Sequence, residues 1–297
     1  MRILLCTDGS PHGQEALRFG ARLAAASTEP ATLLGVLEHA ADRPKIEGAL
    51  EEGRHWLASA PEPRTKVRVG HAADEILDEA TPEECDLVVV GARGRQGITR
   101  FLLGSTSERI ARHAGVPVLI VRGVHREVQR VLVCTGGQVP GLDVVAFGGR
   151  VAQLAGAEVT VLHVMSQLVA APVPPKASAL QVMPQTPAPP TPSHFQPEDL
   201  NASAEELMAH ESQEGVHLKQ AMDILSKLDV PARMLVRHGL VIDEVSGEAC
   251  EGDYDLIVVG SHAVEGWMRL LIKDVEHQIL GCCPDRPILV VKSWRRE

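Results

Sequence analysis

The chain has 297 residues and a formal net charge of −10; the length is typical of about two domains, and the charge argues against a nucleic-acid-binding surface, which is normally basic. Apolar residues make up 44% and aromatic residues 3% of the chain, so we expect a sizeable core of Val, Leu, Ile and Ala. No apolar run approaches the ~18 residues that span a bilayer, and the N-terminal run is too short for a signal peptide, so we expect a cytoplasmic protein without membrane contact.

The first half of the chain alternates short apolar runs with amphipathic segments. The runs predict strands at 2–7, 32–37, 65–69, 86–91 and 117–121, and the segments predict helices at 12–26, 45–59, 72–81 and 106–114. The runs, such as ILLC and VLIV, are almost continuously apolar, which is typical of strands covered on both faces. This alternation predicts an α/β fold with a parallel sheet and helices on both of its faces.

The sequence contains an internal repeat. RILLCTDGSPHG (2–13) aligns with RVLVCTGGQVPG (130–141), an offset of 128 residues, and DLVVVG (86–91) aligns with DLIVVG (255–260), an offset of 169. Two copies of one unit are therefore predicted, a first domain over 1–125 and a second over 126–297.

The larger second offset indicates an insertion in the second copy. Residues 172–197 contain nine prolines among Ala, Gln, Thr and Ser. Proline removes a backbone donor and fixes φ, so this stretch predicts an extended or disordered loop rather than a helix or a central strand. A P-x-x-P docking segment for a protein partner is the sharper alternative.

GARGRQGITRFLLGST (91–106) follows the fourth predicted strand and leads into a predicted helix. Doubly wound α/β folds bind ligands at the carboxyl ends of their strands. The first N–H groups of a helix have no partner inside it and favour anions, and glycine lets a phosphate approach the backbone. Three features therefore predict an anion site: a phosphate seat (Gly104, Ser105, Thr106), a second wall (Gly91, Gly94) and nearby positive charge (Arg93).

The same stretch also admits a plainer interpretation, in which each glycine serves only a turn. Ser105 and Glu108 have capping-box spacing, which predicts that Ser105 is the N-cap of the helix. The nucleotide fingerprints G-x-x-x-x-G-K-[ST] and G-x-G-x-x-G are both absent. The anion site therefore depends on the whole constellation behind a parallel strand, not on any single glycine.

The spacing G-x2-G-x9-G-[ST] from Gly91 to Ser105, with a first strand ending in D-G-S (8–10), resembles the universal stress protein family. The resemblance covers almost the whole chain, once per copy, except for the insertion. It implies two doubly wound, parallel five-stranded sheets with strand order 3-2-1-4-5. It also implies that the last strands, 117–121 and 287–291, pair the domains as an internal pseudo-dimer; further association into a homodimer stays open.

Members of that family that carry the spacing bind ATP, so the resemblance implies ATP, with or without Mg²⁺, as the ligand. Carried over residue by residue, it places Asp8 at the ribose or adenine and Val36 beside the base. The remaining positions would line the base and ribose (Val90, Gly91) or hold the phosphates (Gly94, Gly104, Ser105, Thr106).

Three functions remain open. One is an ATP-binding sensor or regulator of stress adaptation that acts on an unidentified protein partner; the others are a slow ATPase or phosphotransferase, and a scaffold that has lost nucleotide binding. No general base stands out near the phosphate seat, and His12, at a predicted helix start, is more typical of a surface histidine. The cysteines lack zinc spacing, so we predict neither a catalytic residue nor a metal site.

The second copy departs from the pattern of the first. A carboxylate replaces a hydroxyl at the predicted phosphate seat, where it would repel an anion, so we expect one ATP per chain, in the first domain. The replacements are Asp8 by Gly136, Ser10 by Gln138, Gly94 by Ala263, Gly104 by Lys273 and Ser105 by Asp274, while Gly91 is retained as Gly260.

Overall fold

The computed structural model describes residues 1–92, 104–124, 127–136, 139–166, 203–209, 212–260 and 285–292. The strands and helices predicted for the first half are present. The strands are β1 (Ile3–Thr7), β2 (Thr32–Leu37), β3 (Arg64–Val69), β4 (Leu87–Gly91) and β5 (Val118–Val121), and the helices are α1 (Pro11–Ala25), α2 (Arg43–Trp56), α3 (Ala72–Glu79) and α4 (Ser105–His113).

The second half repeats this order as far as its fourth strand and adds one short helix, while the region that corresponds to α4 lies outside the described residues. The predicted insertion at 172–197 lies outside the described residues, and α6 is the first element after it. The strands are β6 (Arg130–Thr135), β7 (Glu158–Ser166), β8 (Ala232–Gly239), β9 (Leu256–Gly260) and β10 (Ile288–Val291), and the helices are α5 (Val139–Ala155), α6 (Ala204–Ala209), α7 (Gln213–Lys227) and α8 (Val241–Glu251).

The ten strands form one sheet in the order β3-β2-β1-β4-β5-β10-β9-β6-β7-β8. Strands within each half are parallel, as expected for strands that helices connect and cover. Each half therefore has the predicted order 3-2-1-4-5. The two predicted sheets are continuous, because β5 and β10 pair antiparallel, with Leu119 opposite Leu289.

The interface between the two halves is buried. One cluster of buried apolar side chains includes Leu5 and Leu17 of the first half together with Val133 and Val145 of the second. Burial of apolar surface is the main favourable contribution to such an interface. The predicted pairing through the last strands is therefore confirmed. In addition to this strand pairing, the two halves share a cluster of buried apolar side chains.

An ion-pair network at the sheet edge recurs in both halves. In the first half the guanidinium of Arg68 on β3 donates to Glu79 on α3, with Nη2 and Oε2 2.6 Å apart. In the second half Arg237 on β8 donates to Glu248 on α8. Both carboxylates are buried. The repeat is thus reproduced in side-chain contacts that link each edge strand to the helix that follows it.

Among the helices that the structure describes, none is both long and apolar enough to cross a lipid bilayer.

Candidate functional site

A cavity of about 590 Å³ opens at the carboxyl ends of β1, β2 and β4. The strand order reverses between β1 and β4, and such a reversal is where doubly wound sheets leave room for a ligand. The N-terminal ends of α1 and α4 both border the cavity, through Ser10 and Gly104. Two helix dipoles therefore present their positive ends to one space.

The turn after β1 places Asp8 at the cavity. The backbone N–H of Ser10 donates to Asp8 Oδ1 at 2.9 Å, a local turn that fixes the carboxylate. Ser10 then caps α1, because its hydroxyl accepts from the N–H of Gly13 at 3.1 Å. Asp8 itself is exposed, so its carboxylate is held in place while remaining open to a ligand.

Gly91 ends β4 beside the first turn of α1. A Cβ at this position would overlap the carbonyl oxygen of His12, so packing alone requires glycine here. The carbonyl oxygen of Gly91 accepts a hydrogen bond from the hydroxyl of Ser107 at 2.8 Å, which fastens the start of α4 to the strand. The turn interpretation thus accounts for this glycine, although Gly91 also lines the cavity.

Gly104 differs from Gly91 in having no such packing requirement. Its backbone is extended, with φ −53° and ψ 144°, a conformation open to any residue. Apart from its neighbouring residues, no atom of the described residues lies within 4 Å of where its Cβ would be. Neither strain nor crowding among the described residues calls for glycine at this position.

The predicted capping box at the start of α4 is wrong. Gly104 is the N-cap, Ser105 is already helical, and no side chain caps this end. Glu108 instead accepts from Arg112 at 2.7 Å, four residues along the helix. Because the helix begins at Ser105, one residue before the position where the capping box would start it, Ser105 is not the N-cap, and Gly104 in that place has no side chain to act as a cap.

The opposite wall of the cavity is apolar. Val36 on β2 and Val90 on β4 are only 2% and 4% exposed, and Ile76 and Ile110 from α3 and α4 complete this wall. An apolar wall facing a wall of backbone N–H groups suits a ligand with a flat apolar part and an anionic part.

The cavity lining that the structure describes lacks lysine and arginine, and the predicted Arg93 lies outside the described residues. The carboxylates among the described lining residues are Asp8 and Glu38. Glu38 is already engaged, because its Oε1 accepts from the N–H of Ala72 at 2.7 Å and so caps α3. Attraction for an anion at this part of the site comes from the helix ends.

The cavity brings together most of the sequence-predicted site residues. It is lined by Asp8, Val36, Val90, Gly91, Gly104, Ser105 and Thr106. Arg93 and Gly94 lie outside the described residues, and the role of each residue as a ligand contact stays a prediction. Sequence reasoning missed Ile76, Ser107 and Ile110, since on the sequence they are indistinguishable from ordinary polar or core positions of helices.

The second half has no side chain that corresponds to Asp8, because exposed Gly136 follows β6 at this point. Gly260 ends β9 as Gly91 ends β4. The other predicted replacements, Gln138, Ala263, Lys273 and Asp274, lie outside the described residues. In the described parts of the chain, no group of three or more His, Cys, Asp or Glu side chains is arranged to hold a metal ion.

The fold and the cavity define a tandem α/β protein with a candidate nucleotide cleft. A model of the universal stress protein family matches residues 1–122 and again residues 127–292. The chain belongs to the universal stress protein family and contains two of its domains.

Three curated universal stress proteins show how far the likeness extends in sequence. One from Thermus aquaticus is 35% identical over 134 residues, which is 40% of this chain and 97% of that protein. One from Mycolicibacterium smegmatis is 36% identical over 134 residues, covering 40% of this chain and 45% of that protein. One from Methanocaldococcus jannaschii is 40% identical over 63 residues, covering 21% and 37%. The matches thus span less than half the length of two of these relatives.

Solved structures match over the full length. The crystal structure of a universal stress protein from Archaeoglobus fulgidus aligns with a TM-score of 0.63 and 16% identity, covering 99% of this chain and 98% of that one. A universal stress protein structure from Pseudomonas aeruginosa aligns with a TM-score of 0.62 and 14% identity, covering 98% and 92%. At these identities the likeness concerns the fold alone.

Proposed function

We propose that the first domain binds ATP, one molecule per chain, and that the protein acts as an ATP-dependent sensor or regulator. The observation that carries this proposal is the open N-terminus of α4, whose N-cap Gly104 faces the cavity without a side chain and without a packing reason to be glycine. Membership in a family with nucleotide-binding members supports the same ligand.

The walls of the cavity match the parts of ATP. Adenine would lie against the apolar wall at Val36 and Val90, and Asp8 would accept from the ribose hydroxyls. The phosphates would accept from the N–H groups that follow Gly104. Mg²⁺, where present, would be held mainly by the phosphates, since Asp8 is the one carboxylate lining the described cavity that caps no helix.

Of the described residues that line the cavity, Asp8 is assigned to the ribose and His12 lies in the first turn of α1, and we assign neither a catalytic role. A general base must reach the attacking water, and Glu108 is turned away from this role by its pairing with Arg112. Burial raises the pKa of the Cys6 thiol well above its usual value, so this cysteine is a poor nucleophile. We therefore expect any ATP hydrolysis to be slow.

Calorimetric titration of nucleotide-free protein tests this proposal. ATP should bind with a stoichiometry near one, and GTP should bind more weakly because the base is selected by the apolar wall. Turnover with excess ATP should be barely measurable. A stoichiometry near two would overturn the single-site proposal, and the absence of any binding would leave the scaffold function in its place.

A further inference from the structure

The second domain holds the far end of the helix that begins at the candidate phosphate seat. Lys292 directly follows β10, and its Nζ donates to the carbonyl oxygens of Arg112 and Ala114, at 2.7 and 2.6 Å. Both carbonyls lie at the C-terminal end of α4, where the last carbonyl groups have no partner inside the helix.

The sheet topology explains why this side chain from the second domain reaches the first. β10 runs antiparallel to β5, and Val290 lies opposite Val118. The carboxyl end of β10 therefore lies beside the amino end of β5, directly after the end of α4. Lys292 is the next described residue after β10, so the pairing of the domains delivers its ammonium to this helix end.

Two side chains of α4 also form hydrogen bonds with other parts of the first domain. Ser107 donates to the carbonyl oxygen of Gly91 near the start of the helix, and Arg109 donates to Asp74 on α3. Lys292 is half-buried, and this burial lowers the pKa of its ammonium. A desolvated cation interacts more strongly with carbonyl dipoles than one in water does.

We propose that Lys292 is a positioning residue through which the second domain strengthens phosphate binding in the first, an inference that rests on the proposed ATP site. A cation at the C-terminal end of a helix stabilises the helix dipole, and an anion at the N-terminal end does the same. A helix already ordered at one end loses less conformational entropy when a ligand orders the other end.

The coupling is reciprocal. If Lys292 raises the affinity for ATP, then bound ATP must stabilise the contact of Lys292 with α4 to the same extent. This contact is part of the interface between the two domains. The second domain, which lacks a counterpart of Asp8, thereby has a role in the site of the first domain.

The test compares Lys292→Met with wild-type protein in calorimetric titrations of ATP and of adenosine. We expect ATP to bind about threefold to tenfold more weakly, a range that follows from the strength of a charge at a helix end. Adenosine should bind unchanged, because it lacks the phosphates that meet α4. Lys292→Arg should restore the affinity for ATP, and thermal unfolding should show that each variant is folded.

Arg286→Met is the matched control. Arg286 also belongs to the second domain, and its Nη1 donates to the carbonyl oxygen of Gly252 at 2.7 Å, at the C-cap of α8, away from the cavity. This variant should bind ATP as wild type does. If Lys292→Met unfolds, Lys292→Gln, which keeps a neutral donor, takes its place.

Two results would overturn the inference while leaving the ATP site intact. One is an unchanged affinity for ATP in folded Lys292→Met; the other is an equal loss for ATP and adenosine, which indicates general damage to the domain. Absence of ATP binding by wild-type protein would instead refute the proposed function, and the inference with it.

Discussion

The two halves share a strand order but use the carboxyl ends of their strands differently. In the first half, Asp8 and Gly104 border an open cavity. In the second half, exposed Gly136 stands in place of Asp8. The described residues thus form a candidate ligand site in the first half, and this site depends on a few residues at strand and helix ends and not on the sheet itself.

The two halves also differ at an equivalent position of their second strands. Gly35 lies opposite Thr7 in the β1–β2 register, as His163 lies opposite Thr135 in the β6–β7 register. A Cβ on Gly35 would overlap the side chain of Ile46 on α2. In the second half, α7 presents His217 on the equivalent face of the sheet, and there is room for an imidazole in place of the glycine.

The second half therefore buries a polar cluster made of Thr135, His163 and His217. Thr135 Oγ1 and His217 Nε2 share a hydrogen bond of 2.7 Å, and His163 Nδ1 donates to the carbonyl oxygen of Thr135 at 3.3 Å. Burial, and next the neighbouring His163, lower the pKa of His217 to about 4. The comparison teaches that the described residues form a candidate ligand cavity in the first half and a buried polar cluster, with a lowered histidine pKa, in the second.

The largest expected effect comes from filling the open position at α4. Gly104→Val should abolish ATP binding, because the new side chain would occupy the path of the phosphates, while its Cβ would have no described atom within 4 Å apart from those of the neighbouring residues. Calorimetric titration measures the loss, and circular dichroism confirms the fold. Gly136→Val is the control, since its Cβ also meets open space but in the second half, and it should bind ATP normally. A folded Gly104→Val protein with wild-type affinity would refute the phosphate seat.

A smaller effect is expected from removing the charge of Asp8. Asp8→Asn keeps an oxygen that accepts from the N–H of Ser10, so the turn is retained while the charged acceptor for the ribose is lost. We expect ATP and adenosine to bind about tenfold more weakly, the typical strength of a hydrogen bond to a charged group. The reciprocal change Gly136→Asp should not create a second site. Unchanged binding by Asp8→Asn would place the ribose elsewhere.

Acid should act on the second half before the first. The pKa of His217 is about 4 in the folded protein and about 6.5 in an unfolded chain, so the unfolded state binds more protons between these values. The contribution of His217 to the free energy of unfolding is complete above pH ~6.5 and is lost as the pH falls towards 4.

Hydrogen exchange measured from pH 7 to 4.5 locates this loss. Exchange, corrected for its intrinsic pH dependence, should accelerate in α7 more than in its counterpart α2. His217→Gln, which keeps a donor towards Thr135, should reduce the difference. Equal acceleration in both helices of the wild-type protein would contradict this assignment.

The smallest effect is expected from the proline-rich insertion. Deleting residues 174–196 should leave both halves folded, because the stretch is additional to the repeat unit and loop length has a weak effect on stability. The melting temperature should change by only a few degrees. A large drop would show that the insertion stabilises a domain and would add a further difference between the halves.

The resemblance to the universal stress protein family implied the strand pairing of the two domains. The sequence by itself determined the repeat, the alternation of strands and helices and the gathering of Asp8 and Gly104 at one site. These follow from local patterns, since apolar periodicity and turn residues act over a few positions. The capping box at Ser105 failed because the extended backbone of Gly104 starts the helix one residue earlier, which places Ser105 inside the helix.

Only the tertiary structure decided which residues meet across long distances in the chain. The contact of Lys292 with α4 depends on the antiparallel pairing of β5 and β10, and the contact of His217 with Thr135 depends on how α7 lies on the sheet. Neither residue differs in its sequence context from an ordinary surface lysine or core histidine. Such contacts are set by the packing of whole elements, which is why a local pattern predicted the candidate site and could not identify the distant groups that pack around it.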